Sequence, residues 1–306
     1  MSKNEVVLTV YCLTYNHENY IRKTLEGFVS QQTNFKFKVI VHDDASTDKT
    51  AEIVREYAEK YPNIIYPIFQ AENKYSQHIP IFDNFIKPNL EGRYIAVCEG
   101  DDYWCDINKL QMQYDYMEQH HDCALCVHNT QRIAAEGETI NKLNLKDVDC
   151  DYSTDDIILA GSGHLFHTSS FFAKSDFFIT LPQSFKIRGL GDYSYAIWLS
   201  ICGKVHYIGK VMSVYRVQTP GSWSDRHRNK EKQIEYRENI IKALWQMDKY
   251  TDFKFHKSFN RDVAYNEYKI ICAKKSYVSL LNPKYWIFML ASIAGKLRKF
   301  FKRKKG

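Results

Sequence analysis

The sequence of 306 residues lacks several patterns that would assign it to a common class of protein. No G-x-G-x-x-G fingerprint of the dinucleotide-binding folds occurs, and Gly161-Ser-Gly163 and Gly189-Leu-Gly191 are incomplete versions of it. The apolar stretch 285–294 is too short to span a bilayer. No secretory signal is visible at the start of the chain, so its eight cysteines indicate a reducing, cytoplasmic setting.

One cysteine pair could suggest a zinc site, but the second pair that such a site needs is absent. Cys123 and Cys126 have the spacing of half a zinc site, with histidines nearby, but the chain has no second pair. The stretch 124–127 (ALCV) has the composition of a buried strand, in which cysteine acts as a small apolar side chain. We therefore expect a strand here rather than a metal centre.

The charge of the chain is concentrated in one segment. The formal net charge is +6, yet residues 296–305 alone carry seven Lys or Arg and no acid, so the rest of the chain is close to neutral. The main domain therefore has no basic patch of the kind that binds nucleic acid, and no nucleic-acid partner is expected. Hydrophobic residues make up 44% of the sequence, which is enough for a substantial core.

Strand and helix patterns alternate along the first half of the chain, which predicts an α/β fold with parallel crossovers. Further on the pattern is less regular, and from residue 230 it is purely helical. We place a boundary near residues 224–229. Strands are predicted at 6–11, 37–41, 64–69, 94–98, 124–128, 170–173, 205–208 and 212–216, and helices at 20–31, 51–61, 83–88, 110–119 and 192–201.

Two acidic turns each follow a predicted strand. Asp43-Asp44 comes after strand 37–41, and Glu99-Gly-Asp-Asp102 comes after strand 94–98. Ligands of open α/β sheets bind at the carboxyl ends of strands, where these turns lie. Carboxylates would repel a diphosphate unless a hard divalent ion bridged them, and Mg²⁺ and Mn²⁺ favour such oxygen ligands. The alternative is that these acids cap the next helix or face water.

Three segments, in this order, resemble the signatures of family 2 glycosyltransferases. They are Val10–Asn16 (VYCLTYN), Val39–Asp48 (VIVHDDASTD) and Tyr94–Trp104 (YIAVCEGDDYW). The resemblance covers about residues 5–225 and implies the GT-A fold, a Rossmann-like domain with a mostly parallel central sheet. It implies a glycosyltransferase domain at 1–225 and a helical extension at 226–306. Within the domain, residues 1–104 would form the nucleotide-binding half and residues 105–225 the acceptor half.

The resemblance also implies how a nucleotide-sugar donor is bound. Asp44 would hydrogen-bond the base beside Asp43, although Ala45 replaces a common glycine, and Thr14, Tyr15 and Asn16 would line the nucleobase and ribose pocket. Glu99 takes the place of the first Asp of the family's D-x-D motif and would contact the ribose. Asp101 would be the principal ligand of Mn²⁺ or Mg²⁺, while Asp102 would support the site and contact the donor sugar.

The resemblance also implies a general base and a positively charged side chain further along the chain. Asp192, in Gly189–Trp198 (GLGDYSYAIW), is the candidate general base that takes the acceptor's proton, with capping of the next helix as the alternative. Arg216 precedes a segment, Gly221-Ser-Trp223, that resembles a loop closing over the diphosphate; its alternative is a structural ion pair. His164, His167 and residues 168–170 resemble the approach to the acceptor site.

The C-terminal segment predicts a contact with a membrane surface. The apolar stretch 285–294 and the basic run after it have the composition of an interfacial helix with a polybasic anchor, which suits anionic lipid and a lipid-linked saccharide acceptor. This places the protein peripherally on the inner face of the cell membrane, through residues 283–306. The alternative is a helix that packs on the protein with a solvated basic end.

The sequence therefore predicts a metal-dependent, inverting glycosyltransferase. It would transfer a hexosyl or related group from a nucleotide diphosphate sugar, UDP-linked, to a hydroxyl acceptor in polysaccharide or glycolipid assembly. A sugar-phosphate nucleotidyltransferase is one alternative, but it would require a glycine-rich loop where the chain has Thr14–His17. A non-catalytic scaffold recruited to membranes is the other alternative.

Overall fold

The structure, a computed structural model, describes residues 5–134, 137–162, 165–187, 190–217 and 229–303. The chain forms two compact units, one of residues 1–182 with 191–225, the other of residues 183–190 with 226–306. Most of the boundary predicted at 224–229 lies outside the described residues.

In the described part of the first unit, ten strands form one sheet with helices packed on it. The strands are β1 (Val6–Thr14), β2 (Lys36–Asp43), β3 (Ile65–Phe69), β4 (Tyr94–Val97), β5 (Tyr103–Trp104), β6 (Cys123–Ala134), β7 (Thr139–Lys142), β8 (Cys150–Tyr152), β9 (Phe172–Lys174) and β10 (Lys204–Val217). The helices are α1 (Ile21–Val29), α2 (Thr50–Lys60), α3 (Lys109–Gln119), α4 (Thr154–Ala160), α5 (Ser175–Phe178) and α6 (Gly191–Cys202).

The strand order confirms the predicted α/β fold with a mixed, mostly parallel sheet. The order is β3-β2-β1-β4-β9-β6-β10-β5, with β7 beside β6 and β8 beside β10. β1 pairs in parallel with β2 and β4, β2 with β3, and β6 with β10, whereas β9 runs antiparallel to β4 and β6. Because β1 lies between β2 and β4, the carboxyl ends of all three open at the same edge.

The central strands are buried on both faces, as their apolar composition requires. On one face, alternate residues of β1 pack under helices α1, α2 and α3; they are Leu8, Val10 and Cys12. On the other face Tyr11 contacts Phe82 and Phe178 at ring-centroid distances of 5.5 and 6.2 Å. Phe178 in turn stacks on Tyr195 of α6 at 3.9 Å. The second face therefore links β1 to the first turns of α6.

The prediction of two short strands at 205–208 and 212–216 was wrong. Both belong to β10, which continues through Gly209 with a register shift between Ile208 and Val211. Gly209 lies where the backbone of another segment approaches closely. A Cβ atom on Gly209 would lie 2.4 Å from the carbonyl carbon of Asp147. The irregularity shifts the pairing register without ending the strand.

Lys109 is an unusual core residue at the start of α3. Its side chain is fully buried, and its Nζ has no hydrogen-bond partner among the described residues. The ammonium group lies 3.9 Å from the centroid of the Trp104 ring, which offers only a cation–π contact. Burial lowers the pKa of Lys109 from its ordinary 10.5 to about 7. The charged form is therefore disfavoured in the folded protein.

We expect Lys109→Met to stabilise the protein at pH 7 by on the order of 2 kcal/mol, because it removes a buried charge of lowered pKa. The unfolded lysine binds its proton up to about pH 10.5, whereas the folded one releases it above about pH 7. The free energy of unfolding of the wild type therefore rises with pH between these two values. The difference in stability between the variant and the wild type becomes smaller over the same range. Urea unfolding at pH 7 and 9.5 measures both quantities. A variant less stable than wild type at both values would contradict this account.

The second unit is helical in its described part, as predicted from residue 230 onward. It contains α7 (Lys230–Tyr250), α8 (His256–Lys274) and α9 (Trp286–Arg303). Phe288 of α9 packs between two tyrosine rings of α8, Tyr265 at 5.5 Å and Tyr268 at 5.9 Å. No described helix combines the length and apolar character needed to cross a membrane.

Candidate functional site

The two acidic turns lie at the carboxyl ends of β2 and β4, on either side of the end of β1. Thr14, the last residue of β1, pairs with Asp43 of β2. The backbone N–H of Asp44 donates to Thr14 O at 3.0 Å, and that of Gly100 donates to Leu13 O at 2.9 Å. The sheet register therefore places both turns against the end of β1, which the sequence could indicate only from their positions after strands.

The first turn is held to the β1 loop by side-chain hydrogen bonds. Asp43 accepts from the Ser46 backbone N–H at 3.1 Å and from its hydroxyl at 2.5 Å, which closes the turn. Asn16 donates its backbone N–H to Ser46 Oγ and accepts the Thr47 N–H at 2.8 Å. Ala45 has a φ of +61°, the left-handed region that favours glycine. This explains why glycine suits that position.

Asp44 anchors a loop that the sequence did not connect to it. Its two carboxylate oxygens accept the backbone N–H groups of Lys74 at 2.7 Å and Tyr75 at 2.9 Å. The residue is only 4% exposed. A carboxylate has about four acceptor positions, so two remain for other donors. Asp44 thus fixes the loop that begins near Asn73 beside the end of β2.

The second turn gathers three carboxylates. Ligand atoms of Glu99, Asp101 and Asp102 all lie within 4.8 Å of one another; Glu99 is exposed and the two aspartates are buried. Gly100 lets the turn pass close to β1, because a Cβ there would lie 2.6 Å from Thr14 Oγ1 and 2.8 Å from His17 Nδ1. The set fits a hard divalent cation, since all three side chains offer carboxylate oxygens.

Asp102 is the most deeply placed acid of this group. It is 0% exposed, and its Oδ1 accepts the backbone N–H of Arg216 at 2.9 Å. Burial, followed by the charges of Asp101 and Glu99, raises the pKa of Asp102 well above its ordinary value, while Arg216 opposes this shift. The resemblance implied a contact of Asp102 with the donor sugar, but the side chain faces the protein interior.

Arg216 lies against the second acidic turn and beside two tyrosine rings, contacts that the resemblance did not specify. Its Nη1 donates to Asp101 O at 2.5 Å, and its guanidinium lies 4.8 Å from the Tyr103 ring and 5.0 Å from the Tyr20 ring. Lys23 lies over the same Tyr103 ring at 4.1 Å. These four side chains line an open cleft of about 360 Å³.

The charges of both acidic turns act on His17, a residue that no sequence pattern singled out. Its Nδ1 is 3.2 Å from Thr14 Oγ1, and its backbone N–H donates to Thr50 Oγ1 at 2.7 Å. Burial lowers the pKa of His17, while the charges of Asp101 and Asp43 oppose that shift. Both turns therefore act electrostatically on one histidine.

Asp192 lies in the first turn of α6, at the edge of an apolar cavity. Its Oδ1 accepts the backbone N–H of Tyr193 at 2.7 Å, which favours the start of the helix. Burial raises the pKa of Asp192, and the Tyr193 N–H opposes the rise. Its neighbours in the cavity include Ile157, Leu165 and Phe166. The carboxylate is therefore half-buried among groups that leave it few polar partners.

Comparison with protein families decides the membership of the chain. The model described as "Glycosyl transferase family 2" matches residues 9–177. The chain belongs to this family. Both acidic turns lie within the matched residues, whereas Asp192 and Arg216 lie beyond them. The recognition made from the three signatures is confirmed.

Relatives of this family 2 chain include an uncharacterized protein of Mycobacterium tuberculosis, Rv1520. It is 30% identical over 227 residues, which cover 74% of this chain and 63% of the relative. The chain thus spans less than two thirds of that relative's length. A putative teichuronic acid biosynthesis glycosyltransferase of Bacillus subtilis, TuaG, is 28% identical over 142 residues, covering 46% of this chain and 54% of TuaG.

Solved structures confirm the GT-A fold of this family 2 chain. The S. aureus TarS 1–349 complex with UDP-GlcNAc superposes with a TM-score of 0.64 at 16% identity, covering 92% of this chain and 78% of TarS. The Pyrobaculum calidifontis mannosyltransferase PcManGT, with GDP-Man and Mn²⁺, gives a TM-score of 0.60 at 15% identity, covering 97% and 82%. Identities this low establish the fold alone.

Some predicted site residues cannot be placed. His164 and Gly221-Ser-Trp223 lie outside the described residues. His167 is described, and burial lowers its pKa from 6.5 to about 4, so its ring is neutral at physiological pH.

Proposed function

We propose that this chain is an inverting, metal-dependent glycosyltransferase that uses a UDP-linked sugar and a hydroxyl acceptor. The observation that supports the proposal most strongly is the group of three carboxylates, Glu99, Asp101 and Asp102, after β4. Their turn is hydrogen-bonded to the end of β1 at Leu13. Family membership supports transfer of a sugar, and the acidic group supports a bound divalent cation.

The donor would lie across the carboxyl ends of β1, β2 and β4. Thr14, Tyr15 and Asn16 are proposed to line the nucleobase and ribose pocket, in which the half-exposed ring of Tyr15 can stack on a base. Asp43 shapes this pocket through Ser46, and Asp44 has acceptor positions left for a base N–H. Glu99 is exposed and suited to the ribose hydroxyls.

The diphosphate would lie beside Asp101. This carboxylate is proposed as the principal ligand of Mn²⁺ or Mg²⁺, and the ion would offset the charge that develops on the leaving nucleotide diphosphate. Asp102 would support the turn through its bond to the Arg216 backbone. Arg216 holds Asp101 O with one N–H and can direct others at a phosphate.

Asp192 is the proposed general base. Its carboxylate would take the proton of the acceptor hydroxyl as the oxygen forms a bond to the anomeric carbon and the bond to the diphosphate breaks. The configuration inverts because attack comes from the side opposite the leaving group. The raised pKa of Asp192 suits a base, since it strengthens the proton affinity of the carboxylate.

Nucleotide release from a panel of UDP-, GDP- and dTDP-sugars with Mn²⁺ tests this proposal. We expect release of UDP that requires both the metal and a saccharide acceptor. A sugar-phosphate nucleotidyltransferase would instead release pyrophosphate from a nucleoside triphosphate and a sugar phosphate. A non-catalytic scaffold would release nothing from any donor. Either of these last outcomes would overturn the proposal.

The acceptor is proposed to be a saccharide or lipid-linked saccharide of cell-surface polysaccharide assembly. The similarity to TuaG, named for teichuronic acid biosynthesis, supports this substrate class. With a lipid-linked acceptor, the enzyme is proposed to work at the inner face of the cell membrane. Residues 283–306 are the proposed contact with that anionic surface.

One face of α9 supports this membrane contact. Phe288 and Ser292, one turn apart, face α8, whereas Trp286, Ile287 and Leu290 are 50–63% exposed and Ile293 is 48% exposed. The preceding turn adds an exposed Tyr277, Val278 and Leu281. Residues 277–293 thus hold seven of the large exposed hydrophobic side chains described for the chain. An apolar helix face beside seven basic residues is typical of an interfacial anchor.

We expect Leu290→Glu with Ile293→Glu to weaken binding to anionic vesicles by about 10-fold or more, because two apolar side chains are lost and two negative charges are added. Vesicle flotation with phosphatidylglycerol and with phosphatidylcholine alone measures it. Leu145→Glu, at a 90% exposed leucine of the first unit, is the matched control and should bind like wild type. Equal flotation of all three proteins would show that this helix face does not contact lipid.

A further inference from the structure

His167 lies against the buried acidic turn in an arrangement that the proposed donor site leaves unexplained. Its Nε2 is 3.5 Å from Asp102 Oδ2, an oxygen that has no hydrogen-bond partner in the described ranges. The other oxygen of this carboxylate, Oδ1, is bonded to the Arg216 backbone. A buried carboxylate oxygen without a donor is costly, so a group aimed at it calls for an explanation.

The neighbours of His167 determine which nitrogen carries its proton. His167 precedes the short 3₁₀ turn Thr168–Ser170, and its Nδ1 accepts the Ser169 backbone N–H at 3.3 Å. A backbone N–H can only donate, so Nδ1 is the acceptor of the neutral ring. The ring proton therefore lies on Nε2, the nitrogen that faces Asp102. The histidine can donate to the free carboxylate oxygen.

Buried hydroxyls hold the histidine from the opposite side. Ser169 Oγ is 2.8 Å from His167 Nδ1 and 2.9 Å from Ser213 Oγ, which lies 3.0 Å from Thr130 Oγ1. All three hydroxyl residues are 0% exposed. This row of hydroxyl groups joins the turn at 167–170 to Thr130 of β6 and Ser213 of β10, which are paired in the sheet. The ring of His167 is therefore fixed in position by the centre of the sheet.

A second contact joins His167 to the same strand that binds Asp102. The His167 ring stacks on Tyr215 with a centroid distance of 4.1 Å and an interplanar angle of 22°. The next residue, Arg216, donates its backbone N–H to Asp102 Oδ1. The Oδ1 atom of Asp102 is thus bonded to β10, and its Oδ2 atom faces the His167 ring, which itself packs on β10. Three segments distant in sequence meet at one carboxylate.

We propose that His167 is a positioning residue for the acidic turn. Its Nε2–H, 3.5 Å from Asp102 Oδ2, is proposed to restrain this oxygen, and through it the backbone of the turn and the direction of the adjacent Asp101 side chain. His167 is proposed to act through Asp102, whose Oδ2 its ring faces, rather than by touching substrate. The inference rests on the proposed function in one respect, namely that Asp101 faces the metal and the diphosphate.

Substitutions of His167 that differ in reach test this role. Gln can place an amide N–H near the position of the histidine Nε2, whereas Asn is too short and Ala has no donor. We expect His167→Ala and His167→Asn to weaken Mn²⁺-dependent UDP binding by about 10-fold and to raise the donor KM, with acceptor KM unchanged. His167→Gln should stay within about 3-fold of wild type. Hydrogen exchange of the metal-free protein should speed up over residues 99–104 in Ala and Asn only.

Several outcomes would overturn the proposal. Equal losses in Gln and Ala would show that the Nε2–H has no positioning role. A change confined to acceptor KM would assign His167 to the acceptor. If His167→Ala does not fold, the comparison of Asn with Gln still decides, because both fill the site. Wild-type protein that fails to bind UDP with Mn²⁺ would overturn the proposed function itself, whereas wild-type binding with an unaffected Asn variant would overturn only this inference.

Discussion

Asp192→Asn is expected to lower kcat by about 10²–10⁴-fold with little change in donor KM, because a general base contributes about that much to a proton transfer. The amide retains an oxygen that can accept the Tyr193 N–H, so the start of α6 should be preserved. Single-turnover transfer from the donor, with thermal unfolding as the check on folding, measures the effect. The variant separates the role in proton transfer from the role at the helix terminus.

A second helix supplies the matched control. Asp156 lies in the first turn of α4, where its carboxylate and Ser153 form a capping box. Asp156→Asn changes a helix-start acid in the same way, but it should lower stability slightly and leave kcat unchanged. Because base catalysis needs the carboxylate form, wild-type kcat should fall as pH drops through the raised pKa of Asp192. Equal kcat in Asp192→Asn and wild type would assign Asp192 to the helix alone.

Asp101→Asn is expected to weaken nucleotide binding in Mn²⁺ by about 100-fold, since loss of a charged ligand removes several kcal/mol of metal-mediated attraction to the diphosphate. In EDTA the variant should bind UDP as well as wild type or better, because a negative charge facing the phosphates has been removed. Calorimetric titration of UDP under both conditions measures this reversal. An effect on UDP affinity that is large in Mn²⁺ and absent or opposite in EDTA is specific to a carboxylate that binds the nucleotide through a cation.

The control for this experiment is Asp115→Asn. Asp115 is an exposed acid of α3 that accepts a hydrogen bond from Gln111 at 2.7 Å. Its loss changes the net charge as Asp101→Asn does but should leave UDP affinity unchanged in both media. If Asp101→Asn behaves like this control, the acidic group does not bind a metal together with the nucleotide.

The position of the two acidic turns could be predicted from the sequence. Asp43-Asp44 and Glu99–Asp102 each follow an apolar, β-branched run, and parallel strands align their carboxyl ends at one edge of a sheet. Local sequence therefore contains the information that brings the turns together. The α/β class and the helices α1, α2, α3 and α6 follow from patterns that are equally local.

Very short strands and the antiparallel part of the sheet could not be predicted in this way. β9 (Phe172–Lys174) overlaps the strand predicted at 170–173, but β5 has two residues and β8 has three, so no periodicity can be read from those two strands. Their pairing depends on partners far along the chain, such as Trp104 of β5 with Ser213 of β10. Gly209 lies between the two strands predicted at 205–208 and 212–216, and glycine in a turn and glycine at a close approach look the same in a sequence.

The contacts that support the site could not be predicted for the same reason, although the residues that make them were named from the sequence. Arg216 contacts Asp101 and Asp102 across more than a hundred residues, and Asp44 binds the backbone at 74–75. His167 is a further case, because its link to Asp102 depends on a turn whose register the sequence does not contain. Side chains with obvious chemistry can be found by motif, whereas the groups that hold them are found from the fold.

Nucleotide and metal are expected to bind together at the carboxyl ends of β1, β2 and β4. Anomalous diffraction at a manganese-sensitive wavelength, from crystals grown with UDP and Mn²⁺, tests it most directly. The account predicts one anomalous peak within coordination distance of the Asp101 carboxylate and of the diphosphate. It also places the ribose at Glu99 and the base at Thr14–Asn16. A nucleotide bound elsewhere, or bound here with no metal at Asp101, would contradict the account.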